Sequence, residues 1–329
     1  MTTTINTTAG RLPVEQLGRT LIHEHVTVAY PGWYLDNRRP KFQRQEAMAR
    51  VVDAFKRLNS YGVRTVVDPC PMDLGRDVEF CAEVAQRTGV NLVCTTGVYN
   101  EAQGIPFLFQ HLPIEAITEI YVKEIEDGIG YSGIKAGAIK VATGDGKVSD
   151  YERKVLTAAA RAAKITGVPL ISHTENCSCG HDQVDIVTGE GVPSHQLLVG
   201  HSDGRDDHDY QRSIAERGAY VGFDRFGLEI FQPDAVRMKN LKQLVDAGHR
   251  DRVMVSHDTV HCFAGGIPFM NGGDYEDLLK IVPNWRMVYL FEKIFPQLRE
   301  MGMKEEDLNH IVVDNPQRFF AEAREERVK

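Results

Sequence analysis

The sequence predicts an α/β protein whose strands close into a (β/α)8 TIM barrel, and three observations carry that expectation. Short apolar runs rich in β-branched residues alternate with longer amphipathic segments. The runs are near-continuously apolar, as strands covered on both faces must be. They number eight, which favours closure over an open doubly wound sheet. A chain of 329 residues suits one such barrel, and no low-complexity linker divides it, so one domain over residues 1–329 is expected.

The expected strands cover residues 20–28, 64–68, 91–96, 134–141, 169–173, 197–201, 220–224 and 253–257. Helical periodicity occupies 44–61, 76–87, 114–125, 150–166, 210–217 and 241–247. Beyond Asp258 come a Gly/Pro-rich loop over 263–274, a helical stretch over 284–301 and a last helix after Asn315-Pro316. Neither GxGxxG after the first strand nor GxxxxGK[ST] occurs, which removes the main support for a nucleotide fold.

Composition narrows the function classes. With 42% hydrophobic and 26% charged residues the chain has the balance of a globular protein with a large core. A formal net charge of −8 and no basic tract argue against a nucleic-acid partner. No apolar run is long enough to span a membrane, and MTTTINTTAG lacks the features of a secretory signal. The six cysteines show no scaffold spacing, so reduced thiols and a cytoplasmic location are expected.

The strongest local signal is His23-Glu24-His25 near the end of the first strand. Residues i and i+2 of a strand share a face, so both imidazoles point inward while Glu24 points away. Alone the pair is weak, but His173, His201 and Asp258 also end or follow apolar runs. In a closed barrel these ends converge on one mouth. Imidazoles and a carboxylate there suit zinc, cobalt, iron or manganese. Lys140 shares strand parity with Ile134, Ala136 and Ala138, which places an amine inside the same barrel, whereas Lys135 faces solvent. An ammonium would be repelled by two divalent ions; a neutral amine that adds carbon dioxide becomes a carbamate able to bridge them. Carbamate, Asp258 and hydroxide against two such ions leave about one net positive charge. His257, of opposite parity to Asp258, reads as structural, and the run His173, Cys177, Cys179, His181 as a flexible loop.

HEH, IKVAT around Lys140, LISHT, LLVGH, GFDRFG and VSHD, in that order, resemble the phosphotriesterase branch of the amidohydrolase superfamily, and more narrowly its phosphotriesterase-like lactonases. The likeness runs from Leu17-Gly18-Arg19-Thr20 to Asp314-Asn315-Pro316. It implies a binuclear centre at the C-terminal mouth: His23, His25 and Asp258 on the buried ion, His173 and His201 on the exposed one, with carboxylated Lys140 and a hydroxide as bridges. Asp258 would then accept and return a proton, while Tyr99 and Arg225 frame a lactone ring. Where the family carries an aspartate three residues after the sixth-strand histidine, this chain has Gly204, flanked by Asp203 and Asp206.

Tyr30, Trp33 and Tyr34 after the first strand, and Phe226 after the seventh, either wall a groove for an acyl chain or, for the first three, join two copies in a homodimer. The expected activity is opening of lactones, foremost N-acyl homoserine lactones, the quorum signals. Organophosphate triester hydrolysis and a carboxylesterase or amidase activity are the alternatives.

Overall fold

The computed structural model describes residues 3–38, 42–267, 270, 273 and 275–325. A short antiparallel hairpin comes first, β1 (Thr4–Thr7) against β2 (Gly10–Pro13). Eight parallel strands follow: β3 (Arg19–Leu21), β4 (Val63–Asp68), β5 (Asn91–Gly97), β6 (Ala138–Thr143), β7 (Leu170–Thr174), β8 (Leu197–Val199), β9 (Tyr220–Phe223) and β10 (Val253–Val255). Each pairs with its successor in sequence.

Helices lie between them: α1 (Arg44–Ser60), α2 (Val78–Thr88), α3 (Phe107–His111), α4 (Ile114–Glu126), α5 (Asp150–Thr166), α6 (Gly180–Gly189), α7 (His208–Glu216) and α8 (Asp234–Leu244). After β10 come α9 (Tyr275–Ile281), α10 (Phe295–Glu300), α11 (Glu305–Asn309) and α12 (Asn315–Glu325). Local chemistry sets the clearest ends. The Ser149 and Glu152 side chains form a capping box on α5, and left-handed Gly167 stops it. Asp77 caps α2 by accepting from Phe80 N–H at 2.8 Å.

The ring closes through the segments that follow β3 and β10. His25 N–H donates to Thr259 O at 2.7 Å, Asp258 N–H to His23 O at 3.0 Å, and Val28 N–H to Cys262 O at 2.8 Å. The result is a nearly closed (β/α)8 barrel.

Two layers of side chains explain the apolar strands. Ile22, Val67, Val93, Ala138, Ile171, Leu198, Tyr220 and Met254 point inward, one from each strand or its next residue, and are fully buried. Ile5, Val14 and Leu17 from the first residues, with Phe319 and Phe320 of α12, close the floor beneath them. Strand residues of the other parity, among them Val66, Leu92, Ile139, Leu170, Val221 and Val255, pack outward in the core layer that also holds the helices' apolar faces. Lys140 and His173 stand two residues beyond Ala138 and Ile171, hence on the inner side.

Several expected bounds shift. The first strand ends at Leu21 because residues 23–28 leave the regular ladder to bond alternately with Val67 O and with the segment after β10. The strand expected from 134 begins at Ala138, since Gly137 lies against Asn6 O, 2.5 Å from where a Cβ would sit. The helix expected from 241 begins at Asp234, after Pro233, and gives way at Leu244 to a wide turn ending at left-handed Gly248. The stretch 284–301 holds wide turns and α10 rather than one helix. In the expected loop 263–274, residues 268, 269, 271, 272 and 274 lie outside the described residues. Among the described residues no helix is long and apolar enough to cross a membrane. All six cysteines are buried and none forms a disulfide.

Gly97 ends β5 opposite Lys140 with φ +108°, and a Cβ there would fall 1.9 Å from Lys140 O. Gly97→Ala is expected to cost on the order of 2–5 kcal/mol through backbone strain and overpacking. Chemical denaturation measures it, and a loss within 0.5 kcal/mol (about the size of an ordinary surface effect) contradicts the account.

Candidate metal centre

The closing segments bring the titratable residues together. His23 Nε2 lies 3.6 Å and His25 Nε2 3.3 Å from Asp258 Oδ1, and His201 Nε2 lies 3.7 Å from Oδ2. Lys140 Nζ is 2.9 Å from His23 Nε2. His173 stacks edge-on against His201 with ring centres 4.5 Å apart. Its ring nitrogens face Tyr99 Oη at 3.0 Å and Glu175 Oε2 at 3.0 Å rather than Asp258. Among the described residues, donor atoms of His23, His201 and Asp258 form one group close enough to share an ion, and those of His25, Asp68 and Cys70 another.

Carboxylates aim three of these rings. Asp224 accepts from both His23 Nδ1 at 2.9 Å and His201 Nδ1 at 2.8 Å, and also from His201 N–H. Asp68 faces His25 Nδ1 at 3.3 Å. With each Nδ1 engaged, each Nε2 lone pair points into the space around Asp258, the arrangement that orients histidine ligands. His201 Nε2 is buried with no hydrogen-bond partner. His201 and Asp258 hold left-handed backbones, φ 59° and 56°, a strain kept where surrounding structure fixes it. An orphaned imidazole nitrogen, aligned neighbours and a shared carboxylate fit a divalent ion.

Electrostatics agree for three of the four imidazoles; His25 runs the other way, its burial outweighed by the Asp258, Asp68 and Cys70 hydrogen bonds that hold it well above its usual range. Burial holds the His173 imidazole down to about 4, and burial with Lys140 keeps His23 below its usual range, so both are neutral donors. Burial first, then Arg225, does the same for His201. Burial pushes Lys140 down to about 8, against the pull of Asp258. Burial alone would raise Asp258, but His201, His25, His23 and Arg225 outweigh it and keep the carboxylate ionised.

Sequence reading missed three supports. Asp68 and Asp224 end apolar runs as the expected ligands do, and that signal could have found them. Glu24 does point away from the cluster around Asp258, but into a clasp. It accepts from Ser256 Oγ, His257 N–H and Thr259 N–H at 2.9–3.0 Å, from His257 Nδ1 at 2.6 Å and from the Thr259 hydroxyl. His257 is structural as expected, its Nε2 accepting from Leu290 N–H.

Other expectations change. Cys177 and Cys179 are buried in a tight turn of left-handed residues that leads into α6, not a flexible loop, because Cys177 Sγ holds His201 O at 3.2 Å. Phe226 is fully buried in the outer core layer, so its side chain packs the barrel and does not line the mouth. Asp206 is on the surface with Lys239, whereas Asp203 is buried, accepting from Arg225 N–H at 3.1 Å and pairing with Arg237. Neither meets the Arg225 guanidinium, whose Nε instead donates to Asp258 Oδ2 at 3.1 Å. Tyr30 packs in the cluster that holds Val28, Leu74, Leu228 and Tyr99; Trp33 lies on Gly265, and Tyr34 is largely exposed.

A barrel with such a cluster at the C-terminal ends of its strands defines a metal-dependent hydrolase of the amidohydrolase type. The chain belongs to the phosphotriesterase family, whose model matches residues 3–320. It is 35% identical over 315 residues to an aryldialkylphosphatase of Saccharolobus solfataricus, covering 93% of this chain and 96% of that one. It is 30% identical to a phospho-furanose lactonase of Mycoplasmopsis synoviae, over 96% and 91% of the two chains. The structure of an organophosphorus hydrolase from Deinococcus radiodurans superposes with TM-score 0.90 at 36% identity, covering 96% of each chain. The family depends on a binuclear metal centre.

Asp224→Asn keeps size but replaces one acceptor oxygen with a donor, so one imidazole loses its orientation. Metal affinity is expected to fall about 10–100-fold with the fold retained, as read by competition with a chromophoric chelator. Unchanged affinity would show that Asp224 does not aim the ligands.

Proposed function

We propose that the protein opens lactone rings, with N-acyl homoserine lactones as the leading substrate class. In this reading His23, His25 and Asp258 would hold one divalent ion, His173 and His201 a second, and a carboxylated Lys140 would serve both. The observation that carries it is the pair of side chains flanking Asp258 and His173: Arg225 on Asp258 Oδ2 and Tyr99 on the His173 ring.

Divalent ions here supply an electrophile for the carbonyl oxygen and a nucleophile drawn from water at neutral pH. The protein's own groups do the rest. Lys140, its ammonium disfavoured by burial, can lose a proton to give the free amine, whose Nζ bonds to the carbon of carbon dioxide and sheds a second proton as the carbamate forms. Asp258, ionised, takes a proton from the attacking water and returns it to the ring oxygen that leaves. Burial keeps the Tyr99 phenol protonated far above neutrality, so its hydroxyl can donate to the ring. Arg225 fixes the ring's edge while holding Asp258. Tyr30 with Leu228, the half-exposed Trp33 and the exposed Ile230 and Phe231 form an apolar rim suited to an acyl tail.

A triester is the second reading, supported by the names of the Saccharolobus and Deinococcus relatives. Such a substrate has a good leaving group and leans on the ions more than on Tyr99 and Arg225. Tyr99→Phe and Arg225→His are therefore expected to cut lactone turnover by about one to two powers of ten, the loss of one placed hydrogen bond, and triester turnover less. Steady-state kinetics on both substrates decide it; equal losses, or a wild type that prefers the triester, contradict the lactone reading.

Lys140→Ala is expected to lose metal and activity together, with partial recovery in short-chain carboxylic acids. Full metal content in the variant would remove the bridging role. Chelation should likewise abolish hydrolysis, and zinc, cobalt or manganese restore it.

A further inference from the structure

Arg237 on α8 is wholly buried and contributes nothing to the ion cluster. A buried guanidinium needs partners for its charge and donors, and here Nη1 and Nη2 are met by loop carbonyls and Asp234, while Nε makes an ion pair with Asp203 without a hydrogen bond. Nη2 donates to Leu228 O at 3.1 Å, and Nη1 to Gln232 O and to Asp234 Oδ1 at 2.9 Å. Nε lies 3.1 Å from Asp203 Oδ2. The two carboxylates in turn take loop amides: Asp203 that of Arg225 at 3.1 Å, Asp234 that of Gly227 at 3.1 Å. Gly227, at φ +90°, lies so close to Asn284 O that a Cβ would sit 2.5 Å away. Four main-chain groups between residues 225 and 232 thus end on Arg237 or on a carboxylate it holds. The same loop carries Arg225, whose guanidinium stands 5.1 Å over the Phe231 ring.

We propose that Arg237 is a positioning residue for lactone recognition: through Asp203 and two loop carbonyls it sets the height of Arg225 over the mouth. Lysine could satisfy fewer of these acceptors, because a point charge cannot span the fork that guanidinium presents. The inference deepens the lactone reading and rests on it for the substrate, but not for the coupling between the two arginines.

The test is a double-substitution cycle on the full chain with its metals: wild type, Arg237→Met, Arg225→Ala and both together. For each, kcat and KM are measured on a lactone and on an aryl dialkyl phosphate triester, with metal content alongside. Arg237→Met is expected to lower lactone kcat/KM about tenfold or more at unchanged metal content. In the Arg225→Ala background it should change the value less than about twofold, because residues acting as a unit are not additive. Arg237→Lys should recover part of the loss. If Arg237→Met does not fold, Asp203→Asn takes its place in the cycle, with a smaller loss that again vanishes without Arg225. Equal losses in both backgrounds, or a loss that tracks metal content, overturn the proposal. A wild type with no lactone turnover sinks the lactone reading instead, and the cycle run on the triester still decides whether the arginines are coupled.

Discussion

The Glu24 carboxylate is the constraint on which the rest of this structure depends. It sits between His23 and His25, just past the strand Arg19–Leu21, and gathers five donors from Ser256, His257 and Thr259. A buried carboxylate is stable only when its lone pairs are met, and here every donor belongs to the turn that carries Asp258. The ring of strands is therefore joined where His23, His25 and Asp258 stand. The hydrogen bonds that close the barrel also bring His23 and His25 to Asp258, although more than two hundred residues separate them.

A second carboxylate extends the same logic. Asp224 takes one imidazole on each oxygen and so fixes His23 relative to His201 across the mouth. Gly200 and Gly222 make room for it: a Cβ on either would fall 3.2 Å or less from Asp224 Oδ2. Small residues in the upper barrel are thus a consequence of carboxylates that need space behind the ligands. The adjacent Arg225 points the other way and balances Asp258, so one dipeptide serves both the support and the rim.

Much of this was legible in the residues, for a physical reason. Where a strand is regular, parity holds: Ala138 faces the inner layer, so Lys140 two residues on does as well. The same count places His173 from Ile171. Parity fails where the ladder fails. His23 and His25 lie beyond the short strand Arg19–Leu21, and their convergence on Asp258 owes more to hydrogen bonds with residues 256–263 than to alternation. Phe226 looked like a rim aromatic because it opens the apolar segment 226–231, yet its amide bonds Ser256 O and its ring turns to the outer layer. The role of Glu24 comes from partners more than two hundred residues away, which no local pattern encodes. The family likeness extends beyond these motifs, over residues 3–320.

The packed floor has a consequence for traffic. Ile5, Leu17, Phe319 and Phe320 are almost wholly excluded from water, and the inner layer above them is filled by one side chain from each strand. The barrel is a blind well. Whatever enters to reach Asp258 must leave by the mouth through which it came, where Arg225 and Phe231 stand. Were the proposed long-tailed lactones its substrates, apolar contacts at that mouth that speed capture would also slow departure of the product, and throughput would have an optimum in rim hydrophobicity rather than rising without limit.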